Sequence, residues 1–321
     1  MKRILVTGAA GQIGSELVPA LREIYGEGNV IAAAHRTPLP DDIVSSGPSI
    51  CIDVTSYDQL DEAIKSYGID TIYHLSSLLS VLAERDRQLA YRVNIHGMHN
   101  VLETAMNNRL ERVVIPGSIA AFGPGTPMDN TPNDTVQKPT SLYGISKVYA
   151  ELMGNYYFSL GLDVRGVRLP GIVSWKIEPT AGTTDYAVAI FYGAIQHGRY
   201  TCYLRPDTVL PMMYMPDAIR ALIGVAQAEV GRLKHHADFN VYSMSFTPEE
   251  LAEAIMVRLP GFTMDYDIDP LRQAIADSWP DSLDDSIARR EWGWNPHYDL
   301  DSMVEDMFEN LQRKLCAGRD T

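Results

Sequence analysis

Tyr143 and Lys147 stand four apart in the run Tyr143-Gly144-Ile145-Ser146-Lys147. On a helix that spacing puts both side chains on one face. A phenol titrates near ~10, too high for a base at neutral pH, but a neighbouring ammonium stabilises the phenolate. A tyrosine so placed can take the proton of an alcohol while hydride leaves the alcohol's carbon. Ser118 follows the strand-like run Arg112–Gly117 and offers a hydroxyl to orient the substrate oxygen. Tyr-x-x-x-Lys alone recurs by chance on amphipathic helices. A strand-end serine followed by the Tyr/Lys pair, in a chain that opens with a glycine loop, is far more specific.

That loop is Thr7-Gly8-Ala9-Ala10-Gly11-Gln12-Ile13-Gly14, with Gly-x-x-Gly-x-x-Gly spacing between a strand and a helix. Gly8 permits a tight turn, Gly11 lets a pyrophosphate approach the backbone, and Gly14 lets the helix pack close to the strand. The helix N-terminus offers free N–H groups and the positive dipole end to phosphates. Gln12 and Ile13 belong to the same loop. A dinucleotide site of this kind expects an acid at the end of the second strand, where it holds the adenosine ribose. The sequence there reads Ala32-Ala33-Ala34-His35-Arg36. Without that acid a 2′-phosphate is not repelled, and Arg36, with His35, offers it a partner. NAD is the expected cofactor, and NADP is left open because Ala34 replaces the acid. Asp53, after the third strand, suits the adenine amino group or the cap of the following helix. Val54, Leu75 and Ser76 complete the expected cofactor contacts.

The elements that must position these groups alternate. Strands are predicted at Arg3–Thr7, Asn29–Ala34, Ser49–Ile52, Asp70–Leu75, Arg112–Gly117 and Asp163–Leu169. Helical spacing is carried by Ile13, Leu17, Leu21 and Ile24, by Leu60, Ile64 and Tyr67, and by Val93–Met106 and Tyr143–Leu160. Such alternation implies an α/β fold with a doubly wound parallel sheet, and a ligand cleft beyond the strands' carboxyl ends. After about Pro170 the rhythm breaks. This predicts a dinucleotide-binding domain over 1–170 and a smaller C-terminal substrate lobe over 171–321, with about 209–242 returning to the first domain. Thr247-Pro248-Glu249-Glu250 reads as a capping box. Asp299–Leu315 reads as a closing amphipathic helix with Met303, Met307, Phe308 and Leu311 on one side.

Composition narrows the function classes. The 321 residues carry a formal net charge of −14, with 45% hydrophobic and 21% charged residues, as ordinary globular proteins do. The acidic balance argues against nucleic acid. No run of ~18 apolar residues suggests a membrane span, and the N-terminus lacks the features of a signal peptide. Three cysteines, Cys51, Cys202 and Cys316, form no disulfide framework or zinc ribbon, which fits a reducing, cytoplasmic setting.

Together the loop, the serine and the Tyr/Lys pair resemble the extended short-chain dehydrogenase/reductase superfamily across essentially the whole chain. Further runs narrow the resemblance to the short-chain-type L-threonine 3-dehydrogenases. They are Leu78-Leu79-Ser80, Ser118-Ile119-Ala120-Ala121-Phe122-Gly123-Pro124, Arg168-Leu169-Pro170-Gly171, Gly182-Thr183-Thr184-Asp185-Tyr186-Ala187, Leu210-Pro211-Met212-Met213-Tyr214-Met215-Pro216-Asp217 and Asp277-Ser278-Trp279-Pro280. The resemblance implies a Rossmann fold and NAD-dependent oxidation of L-threonine to 2-amino-3-ketobutyrate without metal. It makes Ser118, Tyr143 and Lys147 the catalytic set, with Lys147 also on the cofactor ribose. It makes Ser80, Gly182, Thr184, Asp185 and Trp279 pocket residues beside Ser118 and Tyr143. Asp185 also suits a helix N-cap, and Trp279 a packing anchor between lobes. A homodimer through the helices Val93–Met106 and Tyr143–Leu160 is implied in the same way. Three positions depart from the pattern: Ala34 for an acid, Gly117 for a second serine, and Ala181 for a glycine.

Two other readings are a sugar-nucleotide epimerase or dehydratase, with Arg168 and Arg205 serving a diphosphate, and a dinucleotide-binding sensor without turnover. His96 and His99 are too few ligands for zinc. His235 and His236 are expected to face solvent. Met212, Met213 and Met215 are expected in the core. Trp292-Gly293-Trp294-Asn295-Pro296 should end a helix.

Overall fold

The computed structural model describes residues 1–179 and 182–317, so Ala181 lies outside the described residues. Six strands of one parallel sheet alternate with helices as expected. They are β1 (Ile4–Thr7), β2 (Val30–Ala34), β3 (Ser49–Cys51), β4 (Thr71–His74), β5 (Arg112–Ser118) and β6 (Asp163–Leu169). After β7 (Gly171–Val173), β8 (Arg199–Cys202) and β9 (Leu210–Tyr214), the chain returns through β10 (Phe239–Asn240) to the edge beside β6. The seven-stranded order is β10-β6-β5-β4-β1-β2-β3. β11 (Met244–Phe246) pairs antiparallel with β9, which pairs parallel with β7, in a second, three-stranded sheet. β12 (Thr263–Tyr266) and β8 form a two-stranded ribbon.

Side chains alternate across a strand, so a strand covered on both faces is apolar throughout. β1 shows this: all four of its residues are buried. Ile4 and Val6 enter one core with Leu17, Leu21 and Leu222, whereas Leu5 enters the opposite core with Ile72, Val101 and Val113. A third core joins Phe191, Met212, Phe246, Met303 and Leu311 beneath the second sheet.

The expected capping box is present: the Thr247 hydroxyl accepts from Glu250 N–H while the Glu250 carboxylate accepts from Thr247 N–H. The closing helix spans Leu300–Ala317, and Asp299 stands before it, its carboxylate accepting from Ser302 N–H. Gly293, at φ +77°, ends the helix Ser286–Trp292. Met212, Met213 and Met215 are fully buried.

Two expectations are corrected. The predicted helix Val93–Met106 is not uniform: a π-type segment, Tyr91–Gly97, precedes the α-helix Met98–Asn107. In that segment Asn94 accepts from Leu78 N–H and donates to Leu78 C=O, a tie that the apolar periodicity does not report. His235 and His236 do not simply face solvent. His235 lies between Glu291 (3.0 Å) and Asp134 (3.3 Å), and His236 stacks on Phe158 with ring centres 3.4 Å apart.

The strand order reverses between β1 and β4, the switch point where such sheets bind ligands. The glycine loop leaves β1 there, and Leu75–Ser77 leaves β4 beside it.

Candidate active site

Two adjoining cavities open at the switch point, of about 1060 Å³ and about 1000 Å³ of space continuous with solvent. Gly8 and Gly11 line both. Gly8 sits at φ +67°, and a Cβ on it would lie 2.7 Å from Ser76 N. A Cβ on Gly14 would lie 2.5 Å from Gly8 O. Any larger residue at either position would force the loop open. The helix Gly14–Tyr25 begins without a side-chain cap, so no side chain competes for its leading N–H groups. An uncapped helix end behind a glycine cradle fits a diphosphate.

One cavity gathers Gly8, Gly11, Gln12, Ile13, Gly14, Leu75, Ser80, Ser118, Tyr143, Lys147, Gly182, Thr184, Asp185 and Trp279. Every residue assigned from the sequence to catalysis or substrate is in this set, although they come from five segments of the chain. Ser118 ends β5, and its hydroxyl accepts from Ala120 N–H as the chain turns into Ile119–Ala121. Tyr143 and Lys147 ride on the helix Leu142–Ser159, whose first turn is capped by the Ser141 hydroxyl. Glu84 adds to that start by accepting from Leu142 N–H. The Lys147 ammonium lies 5.2 Å from the centre of the Tyr143 ring and donates to Pro116 C=O at 2.7 Å. The helix approaches the Ile119–Ala121 turn after β5 closely because Gly144 has no side chain: a Cβ there would clash with Ala120 O.

On the far wall, the Asp185 carboxylate accepts from Gly182 N–H at 3.3 Å. Asp185 occupies the N-cap position of the helix Tyr186–His197, but its side chain makes no capping bond. Thr183 was not singled out in the sequence, yet it lines the cavity with its buried hydroxyl unpartnered among the described residues. Tyr203 also escaped notice. Its hydroxyl donates to the carbonyls of Gly182 and Thr183, while the Arg272 guanidinium lies 4.1 Å over its ring. Burial pushes the Tyr203 phenol well up, so it remains a donor. No local pattern announces this contact, because a helix (Tyr186–His197) and a strand (Arg199–Cys202) lie between its partners. Trp279, 6% exposed, lines the cavity and belongs to the third core.

The other cavity holds Ala34, His35, Arg36, Asp53, Leu75 and Ser76, and brings in Arg92, which the sequence reading missed. Asp53 caps no helix; Ser56 does. Its carboxylate accepts from Thr55 N–H and hydroxyl at 2.9 and 2.8 Å. Burial alone would raise its pKa, but these bonds outweigh it and hold the carboxyl below its ordinary value. Val54 is not brought to either cavity; its side chain is buried in the core with Met98 and Val101.

The two arginines considered for a diphosphate are already engaged. Arg168 is buried in a bidentate pair with Glu151, and Arg205 pairs with Asp277 at the surface. Among the described residues, no group of three or more His, Cys, Asp or Glu is placed to hold a metal. No helix among them is long and apolar enough to cross a membrane.

Comparison with known proteins agrees with this arrangement. An uncharacterized epimerase/dehydratase of Staphylococcus haemolyticus is 47% identical over 315 residues, covering 98% of this chain and 99% of the relative. The crystal structure of L-threonine dehydrogenase from Clostridium difficile superposes with a TM-score of 0.95 at 47% identity, covering 98% of both chains. A monomeric L-threonine 3-dehydrogenase from a metagenome gives a TM-score of 0.92 at 41% identity over 97% of this chain and 99% of its own. The model of the NAD dependent epimerase/dehydratase family matches residues 4–241. With that match, the seven-stranded parallel sheet and the glycine loop at its switch point, the chain belongs to the NAD dependent epimerase/dehydratase family.

Proposed function

We propose that this protein is an L-threonine 3-dehydrogenase, oxidising the 3-hydroxyl of L-threonine to 2-amino-3-ketobutyrate with NAD. The observation that carries the reading is the convergence of Ser118, Tyr143 and Lys147 with the wall Gly182–Asp185 and Trp279 around one cavity. The near-full-length likeness to the Clostridium difficile enzyme supports it.

The glycine loop Gly8–Gly14 would hold the cofactor diphosphate, and Asp53, Leu75 and Ser76 the adenosine half. When bound, the nicotinamide supplies the hydride acceptor. Ser118 holds the substrate hydroxyl, and Tyr143 takes its proton at the phenolic oxygen. Lys147, within reach of Tyr143, stabilises the phenolate and holds ribose hydroxyls. The Thr183 and Ser80 hydroxyls and the Gly182–Thr184 backbone face the amino-acid carboxylate. Asp185 and the Trp279 face receive the ammonium.

NADP is also accepted in this proposal. In place of the missing acid the cavity presents Ala34, with Arg36 and Arg92 on its wall. Two arginines and one carboxylate, Asp53, leave a 2′-phosphate with partners rather than a repelling charge.

Residues 1–170 form the cofactor domain in this reading. Residues 171–321 form the substrate lobe, apart from the return through the helix Met215–Gln227 and β10, whose apolar side chains share a core with β1. The working form is a homodimer: Ile145, Leu152 and Tyr156 stand exposed on the helix Leu142–Ser159, and Tyr91 stands exposed at the start of the π-type segment before the other helix. Free cysteines at 51, 202 and 316 suit the cytoplasm.

The test is initial rates of cofactor reduction with L-threonine, NAD and NADP being run side by side. Threonine-dependent turnover with NAD supports the reading. Turnover only with a nucleotide sugar would move the protein to the epimerase class, against which the engaged Arg168 and Arg205 argue. Tight NADH binding without turnover of either substrate would make it a sensor. Light scattering on the same sample gives the oligomeric state.

A further inference from the structure

The catalytic candidates stand on two separate elements. Ser118 is on the segment that ends β5 and continues to Phe122; Tyr143 and Lys147 are on the helix Leu142–Ser159. One side chain touches both. Arg168, on β6 and 3% exposed, donates from Nε and Nη2 to the Glu151 carboxylate at 3.0 and 2.9 Å. Glu151 is one helical turn beyond Lys147 and is 2% exposed. The same guanidinium lies 5.1 Å from the centre of the Phe122 ring. Its remaining Nη1 donates to Asn133 C=O at 2.7 Å and to Asn240 Oδ1 at 3.1 Å, so it is anchored to a loop and to β10 as well. Gln137 Nε2 donates at 2.7 Å to Glu151 Oε2, the oxygen that Arg168 Nη2 also meets.

We propose that Arg168 is a positioning residue that sets the distance between Ser118 and the Tyr143/Lys147 pair, through Phe122 on one side and Glu151 on the other. This rests on the roles given above to Ser118, Tyr143 and Lys147. The physical case has three parts. First, a planar guanidinium bonded on two edges fixes direction as well as distance, which an ammonium cannot do. Second, the pair is fully desolvated, where an ion pair contributes little net stability compared with packed apolar groups of the same size. Geometry rather than stability is then its main consequence. Third, the helix has close steric seats near both ends and a directional tie between them. Gly144 sits against Ala120 O, and Gly154 sits where a Cβ would meet Ala237 Cβ at 2.6 Å. These steric seats limit approach; the Arg168–Glu151 pair pulls, one turn beyond the bond from Lys147 to Pro116 C=O. Gly117, paired in register with Arg168, fits the same picture: a Cβ there would lie 3.3 Å from Arg168 Cα and Cγ. The serine more usual at that position would crowd the guanidinium's stem.

The test uses R168K and E151Q in the full-length protein, with thermal melts and NADH titration establishing that each is folded. Arg168→Lys keeps the charge and loses the fork; Glu151→Gln keeps the shape and one acceptor. The expected result is a fall in kcat of about tenfold or more at saturating L-threonine, since a misplacement of order 1 Å costs up to about 100-fold. The NADH dissociation constant should stay within about twofold, because the nucleotide cradle is elsewhere. A merely structural pair would lower the melting temperature and leave kcat per folded molecule unchanged; that result overturns the proposal. Wild-type protein inactive toward threonine would instead overturn the assigned reaction. The crystal structure of the R168K variant then decides the positioning role by itself. A shifted Ser118–Tyr143 separation supports it, and an unmoved one overturns it.

Discussion

The Lys147 ammonium lies 5.2 Å from the centre of the Tyr143 ring while donating to the Pro116 carbonyl at 2.7 Å. Lys147 is thereby fixed to β5, the strand that ends in Ser118, and cannot drift with the helix surface. Tyr143→Phe removes the group that accepts the proton without changing the ring that packs. It should cost about 100-fold or more in kcat, with NADH affinity retained. Initial rates and NADH fluorescence titration check this; near-normal turnover would falsify the base assignment.

Ala34→Asp restores an acid at the end of β2. The new carboxylate would bond ribose hydroxyls and repel a 2′-phosphate, so the preference for NAD over NADP in kcat/KM should rise about tenfold or more, the ratio that ~1.4 kcal/mol of discrimination produces. An unchanged ratio would mean that Arg36 and Arg92 do not meet that phosphate.

Trp279 serves the cavity wall and the third core together. Trp279→Ala should therefore raise KM for threonine and also destabilise the fold by about 3–5 kcal/mol, as large buried aromatics do. Chemical denaturation and kinetics separate the two effects. A stability loss with unchanged KM would leave Trp279 as a packing anchor only.

His74 carries a pH prediction. Its ring is buried, its Nδ1 shares a hydrogen bond with the Thr7 hydroxyl at 2.8 Å, and Nε2 has no partner among the described residues. Burial, reinforced by the Lys147 charge, pushes its pKa down to about 3. Unfolded, it binds a proton below ~6.5, which the folded state refuses. Stability from this group is thus fully present above ~6.5 and is lost as pH falls towards 3, by up to ~1.4 kcal/mol per pH unit. His74→Gln should flatten the fall in denaturation free energy between pH 6 and 4. An equally steep fall in the variant would assign acid lability to other groups.

Much of the fold was legible because its signals are local. The strand Asp163–Leu169 has the predicted bounds, and the other five predicted strands differ by one residue at one or both ends, while the short edge strand β10 was not read from the sequence. Gly8, Gly14 and Gly293 mark a turn, a close approach and a helix stop, each dictated by backbone sterics at one position. The Tyr143/Lys147 pairing needs only the 3.6-residue turn. The π-type segment at Tyr91–Gly97 was not legible, because the Asn94–Leu78 tie within it joins residues 16 apart and leaves no periodic trace.

Assembly of the cavity belongs to tertiary structure alone. Thr183 and Tyr203 meet only because the helix Tyr186–His197 and β8 fold back on each other, and Arg92 reaches the adenosine cavity from a helix face that also looks like plain surface. Val54 was expected beside the cofactor but turns inward, since a short strand-to-helix connection offers both directions and only packing against Met98 and Val101 chooses one. Arg168 shows the same limit most sharply. As a residue type it suits a diphosphate groove as well as an ion pair. Burial beside Glu151 decided between them, because a desolvated guanidinium must satisfy its charge with whatever carboxylate the fold brings against it.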